Sequence, residues 1–134
     1  MPTFTHGKNT YISVDGTDLS TYTNTSALTS GADSHDTTTY GKNDHVFQGG
    51  LKTGTFTFGG LYGAGVSGTP GSVLDVLVGS TVTIIRRCEG TGVGKPAESF
   101  SAVITSYVET NPVADMVTWS CEATVSDAVT RTTQ

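Results

Sequence analysis

Seven basic residues in 134, two cysteines, one tryptophan and no apolar run of membrane-spanning length set the first limits on this chain. The basic residues never cluster beyond the pair Arg86 and Arg87, and the formal net charge is −5 with a pI near 4.9. A protein that reads nucleic acid presents a basic patch, so that class is disfavoured, whereas a mildly acidic surface lets DNA pass without holding it. The missing apolar run excludes a helical membrane span, and the segment M-P-T-F-T-H lacks the apolar core of a signal peptide. The expected place of synthesis is therefore the cytoplasm. Cys88 and Cys121 belong to no CxxC or Cys/His ligand set, so both are expected as small apolar side chains on strands, with a bridge between them left open.

Charged residues make up only 14% of the chain, while threonine, serine and 17 glycines are abundant. Threonine is β-branched and suits the solvent face of a pleated strand, so the composition predicts many short strands joined by tight turns. A chain of this length forms one domain, 1–134, and buries a core without metal or disulfide support.

Residues 10–14 alternate and end at the turn pair Asp15 and Gly16. Asp18 precedes a short apolar pair that predicts one helical turn. Residues 24–30 and 33–40 read as two Thr-rich strands either side of Gly31, the second able to extend onward. Phe56 and Phe58, alternating with Thr55 and Thr57, place a strand at 51–61. Val73, Leu74, Leu77 and Val78 recur at helical spacing between Pro70 and Gly79, which predicts the one helix. Strands follow at 80–88, 97–109 and 115–126. The last puts Val117, Trp119, Cys121, Ala123 and Val125 on its core face, and the middle one Phe100, Ala102, Ile104 and Val108. The expected fold class is all-β with one short helix, a two-layer antiparallel sandwich or partly closed barrel carrying a long extended loop.

That loop, residues 31–50, is polar, glycine-bounded and long for so small a domain, which marks it as an arm that meets a partner. Residues 127–134 hold too few apolar groups to order themselves and are read as a second arm.

No catalytic reading survives the spacing rules. G-T-G-V-G-K at 90–95 lacks the first glycine of a phosphate-binding loop, where Glu89 stands, and Pro96 replaces the required Ser or Thr. His35 between Asp33 and Asp36, with His45 beyond, offers ligand chemistry for zinc or manganese without a spacing that fixes geometry. No serine sits in a G-x-S-x-G elbow. Asn24, Thr25 and Ser26 form a glycosylation sequon by chance, and Trp119 is expected as a core anchor rather than a binding platform. No catalytic, cofactor or metal residues are nominated. The candidate subunit-interface residues are Asp33, His35, Asp36, Tyr40, Lys42, His45 and Phe47 on the arm, with Arg86, Arg87 and Arg131. Whichever of Arg86 and Arg87 faces inward needs a carboxylate, with a neighbouring subunit as one source.

The order of D-G-T-D-L-S-x-Y, A-D-S-H-D-T-T-T-Y-G-K, G-G-L-K-T-G-T-F-T-F-G-G-L-Y and N-P-V-A-D-M-V-T-W-S-C-E-A-T-V-S-D-A-V-T resembles the tail tube proteins of long-tailed bacteriophages, with cousins among actinobacteriophage virion proteins. The resemblance covers nearly the whole chain. It implies a non-enzymatic virion subunit closing into hexameric rings that stack around a DNA channel. Its partners would be itself and other virion proteins, residues 33–50 would be the stacking loop, and residues 1–8 and 127–134 would be the N-terminal and C-terminal outer arms. The same fold serves capsid decoration proteins, the alternative it leaves open. A carbohydrate-binding or adhesion sandwich is the alternative from the residues themselves, requiring Tyr11, Tyr22, Tyr40, Tyr62 and Tyr107 to converge.

Overall fold

The computed structural model describes residues 3–65 and 67–134. Seven strands, all antiparallel, form one sheet: β1 (Tyr11–Val14), β2 (Thr17–Asp18), β3 (Thr23–Asp36), β4 (Phe47–Leu61), β5 (Thr81–Arg87), β6 (Pro96–Thr110) and β7 (Thr118–Thr133). Their order is β2-β1-β5-β6-β7-β4-β3. The expected two layers are thus parts of one sheet, which does not close into a barrel because β2 and β3 remain unpaired edges.

The connectivity forces this sheet to curl. β2 and β3 lie at opposite edges, six inter-strand steps apart, which is about 29 Å in a flat sheet. Only Leu19 and a 3-10 turn, Ser20–Tyr22, join them, a reach of at most about 19 Å. The edges must approach, and the enclosed face becomes the core. Ile12, Leu19, Phe56, Phe58, Ile84, Phe100, Ile104 and Trp119 all pack there with less than a twentieth of their surface exposed. Phe56 stacks on Phe58 at 4.9 Å between centroids and meets Phe100 edge-on at 5.4 Å.

Trp119 holds the crossing in place. Its indole N–H donates to the carbonyls of Tyr22, at 3.2 Å, and Leu61, at 3.1 Å. At the same point Gly60 lets the backbones touch, since a Cβ there would collide with the Tyr22 carbonyl oxygen. The turn of Asp15 and Gly16 joins β1 to β2 with positive φ at both residues, the two-residue hairpin that D-G predicts.

The helix lies where its periodicity places it. α1 spans Pro70–Leu74 and tightens into a 3-10 turn over Asp75–Leu77. Ser72 Oγ accepts from the Thr69 amide at 3.1 Å, Pro70 opens the first turn, and Leu74 is fully buried.

Four expectations are corrected. First, the segments 24–30 and 33–40 are not two strands but one continuous β3 ending at Asp36, and most of the 31–50 loop is the far half of a β3–β4 hairpin. Second, residues 127–134 are no free arm: β7 runs to Thr133 and pairs with the start of β6, from Ser99↔Thr130 to Pro96↔Thr133. Backbone pairing with β6 supplies the order that apolar content does not. Third, Val108 is half exposed. A one-residue bulge between Ile104 and Ser106 inverts the alternation, so Tyr107 turns inward and stacks on Trp119 at 6.3 Å. Fourth, Val117 precedes β7, which starts at Thr118. Of the N-terminal arm, 1–8, Met1 and Pro2 lie outside the described residues; residues 3–6 have no regular structure, and a 3-10 turn begins at Gly7.

Cys121 is buried and Cys88 half-buried, and both are free thiols. Burial, assisted by the Glu122 carboxylate, pushes the Cys121 thiol from its ordinary 9.0 up to about 12. A raised folded-state value stabilises the fold below pH 9 and loses that contribution as pH climbs toward 12, because only the unfolded chain releases the proton freely. The urea midpoint is expected to fall across this window, and Cys121→Ala to flatten the decline. A second expectation concerns the crossing: Gly60→Ala should cost about 3 kcal/mol in urea denaturation, because backbone must move. Gly49→Ala, where a Cβ meets nothing within 4 Å, should cost far less. Equal losses in the two variants would show that the crossing is not tight.

Candidate assembly surfaces

The β3–β4 hairpin leaves the body of the protein near Gly31 and Gly54. β4 pairs with β7 only from Thr55↔Thr124 to Leu61↔Thr118, so residues 47–54 have β3 as their sole hydrogen-bonded strand partner. Every residue in 29–53 is exposed, on both faces of the ribbon. A two-stranded ribbon without a core face is marginal alone in water.

Seven of the ten nominated interface residues sit on the arm: Asp33, His35, Asp36, Tyr40, Lys42, His45 and Phe47. His35 lies over Gly50, where a Cβ would meet its ring at 2.5 Å. His45 Nδ1 stands 3.6 Å from Asp36 Oδ2, and its ring is 6.0 Å from that of Phe47. The Thr38 hydroxyl and amide hold the Asp36 carboxyl below its usual range. Tyr40 is fully exposed, and Val46, Phe47 and Leu51 add further bare apolar surface.

The other three nominated residues gather at a different place. Arg86, on the core face of β5, donates from Nη1 to Glu98 Oε1 at 2.7 Å. Arg131 on β7 brings Nη2 to 3.3 Å from Glu98 Oε2. The three side chains form one row across β5, β6 and β7, in register Arg86↔Glu98↔Arg131. Arg86 thus finds its carboxylate within its own chain, and no neighbouring subunit is needed to supply one. Arg87 points the other way, its guanidinium 4.6 Å above the Tyr11 ring with Nη1 donating to Thr91. Sequence reasoning missed Glu98, although a charged residue two positions before Phe100 on a core-facing alternation was a usable signal.

Beside this row the β5–β6 loop is clasped by Gln134. Its carboxamide donates to the carbonyls of Gly90, at 2.8 Å, and Pro96, at 3.2 Å, and accepts from the Gly92 amide at 3.2 Å. The glycine-rich 90–95 segment is therefore a pinned hairpin loop. Among the described residues no three His, Cys, Asp or Glu side chains gather to hold a metal ion, and no helix is long and apolar enough to cross a membrane.

Comparison with solved structures finds this open, curled antiparallel sheet in chains of tails and virions. A chain in the virion of a native gene transfer agent particle superposes with a TM-score of 0.77 at 12% identity, over 96% of this chain and 99% of that one. A chain of the SPP1 tail tube gives 0.77 at 15% identity, over 97% and 80%. The tail of an empty gene transfer agent particle, treated with C6 symmetry, gives 0.68 at 10%, over 83% and 82%. No protein-family model and no curated protein matches the sequence. The chain has the tail-tube fold.

The Arg86–Glu98–Arg131 row predicts its own response to mutation. Glu98→Gln leaves Arg86 three-quarters buried without a counter-charge and is expected to cost about 2–3 kcal/mol, less than a fully enclosed pair because water still reaches one side. Combining Arg86→Met with Glu98→Leu should recover most of that loss in the same denaturation assay.

Proposed function

We propose that this protein is a bacteriophage tail tube subunit, assembling into stacked hexameric rings around a channel that passes DNA. The observation that carries the proposal is the near-complete match to tail and virion chains, including the SPP1 tail tube, together with an arm exposed on both faces. The solved tail with C6 symmetry supports six subunits per ring. Its partners are other copies of itself and neighbouring virion proteins, its location is the virion, and its role is structural rather than enzymatic. The nominated arm residues, from Asp33 to Phe47, belong in this reading to the contact between subunits.

The chemistry of the surface suits such a tube. Unpaired edges at β2 and β3 invite lateral strand pairing, and a ring satisfies them where an isolated subunit cannot. A net charge of −5 disfavours retention of a polyanion, so DNA meets a wall that repels rather than grips it. Capsid decoration, the alternative raised by the sequence, gains no support from these solved tails. A sugar-binding platform gains little: Tyr62 and Tyr107 both approach Gly71, while Tyr40 is on the arm and Tyr11 lies under Arg87.

Negative-stain electron microscopy and sedimentation over a concentration series test the proposal. Hollow tubes or stacked rings are expected. Replacing residues 33–51 by an Asn-Gly turn, which closes the hairpin at the Ala32↔Lys52 pair, should leave a folded subunit that no longer forms tubes. A persistent monomer from the unaltered chain, or normal tubes from the trimmed one, contradicts it.

A further inference from the structure

All seven basic residues lie toward one end of the strands. Arg86 and Arg87 end β5, Lys95 precedes β6, Arg131 ends β7, Lys8 precedes β1, and Lys42 and Lys52 are on the arm. The antiparallel register puts all of these at the Thr133 end of β7. The Thr118 end carries Asp75, Glu109, Asp115 and Glu122, and no Lys or Arg. One end is thus anionic without compensation, whereas the other holds all seven Lys and Arg residues beside six carboxylates, Asp33, Asp36, Asp44, Glu89, Glu98 and Asp127.

Each end also has a shape. At the anionic end the β6–β7 turn, residues 111–117, projects with Val113 fully exposed and Met116 two-thirds exposed, flanking the exposed Asp115. At the cationic end the sheet forks. β4 leaves with β3 beyond Thr55, and β7 continues with β6 beyond Thr124. Between the branches lies a groove of about 720 Å³, with Ala32, Val125 and Val129 among its walls; its charged residues are Lys52, Arg131, whose Nη2 lies 3.3 Å from Glu98 Oε2, and one carboxylate, Asp127. The strands bordering it have no sheet partner on that side, so backbone groups there are free to pair.

We infer that the β6–β7 turn of one copy seats in the fork groove of the next, with Val113 and Met116 against the apolar wall and Asp115 between Lys52 and Arg131. The occupant is a second copy of this chain, chosen by charge complementarity: an acidic-apolar tip matches an apolar groove whose two cations, Lys52 and Arg131, outnumber its one carboxylate, Asp127, and the two lie at opposite ends of one molecule. Such a contact is heterologous, so it repeats along an axis instead of closing on itself. This inference rests on the tube reading and adds which surfaces join consecutive rings and which way they face. It also gives Lys52 a partner, since no carboxylate pairs with it among the described residues.

A charge swap tests it. Asp115→Lys and Lys52→Glu are both exposed changes, so each variant is expected to keep the native circular dichroism spectrum. Each alone should raise the critical concentration for tube formation by about tenfold or more, as a like-charge contact repeats at every joint. Together they should restore it to within about threefold of the unaltered chain. Tubes from both single variants at the original critical concentration, or a double variant no better than either single one, would overturn the inference while leaving the tube reading intact. Failure of the unaltered chain to form tubes overturns the tube reading itself and takes this contact with it.

Discussion

The whole structure depends on a short crossing. Leu19 and the turn Ser20–Tyr22 must carry the chain from one edge of a seven-stranded sheet to the other, and no flat sheet allows it. Curling follows, and with it an inside that buries Phe56, Ile84, Phe100 and Ile104 from strands that would otherwise present two wet faces. Glycine at position 60 permits the contact, and Trp119 secures it by sharing its N–H between the carbonyls of Tyr22 and Leu61. The sheet stays open because β2 has only two residues and cannot reach β3 as a hydrogen-bonding partner along any useful length.

Curling a sheet this way uses up the strands' short stretches and leaves the long ones over. β3, β4, β6 and β7 each have 14 to 16 residues, whereas β1 and β5 have four and seven. The surplus of β3 and β4 becomes the bare arm, and the surplus of β6 and β7 extends past β5 toward the 111–117 turn. The first surplus buries little apolar surface within the chain, so its order depends on backbone pairing and on what it meets, whereas the second carries Trp119, Cys121 and the inward Tyr107 against the core. Tight core and unfinished ribbons are two results of the same mismatch in strand length.

Much of this was legible in the sequence, and the parts that were not share a physical reason. Period-two alternation located Phe56 and Phe58, and Trp119, Cys121 and Ala123, because core burial imposes it residue by residue. Pro70 and Gly79 bracketed the helix through their backbone chemistry. The alternation failed at Val108, where a bulge inverts the phase without leaving a mark in residue type. It failed again for β7 beyond Ser126, where the strand persists chiefly by pairing with β6 and Val129 is the one apolar side chain packed against the core. Glu98 was overlooked because a carboxylate on a core face looks like an error until Arg86 and Arg131 are seen on the strands either side.

The arms nominated from sequence shared one weakness: polarity and glycine content identify chain that cannot bury itself, but they do not separate free segments from paired ribbon. The distinction matters for assembly. A free segment loses conformational entropy at every contact it makes, while a ribbon already ordered by its cross-strand hydrogen bonds has lost most of it before meeting a partner. The β3–β4 hairpin and the paired end of β7 are of the second kind, and they border one groove with Lys52 on one side and Arg131 on the other. Preformed walls of fixed spacing select by shape as well as by charge. A chain with only 14% charged residues has few ionic contacts with which to specify orientation. Placing all seven cations toward one end gives those few contacts a direction, and a direction is what a polar stack of identical subunits requires.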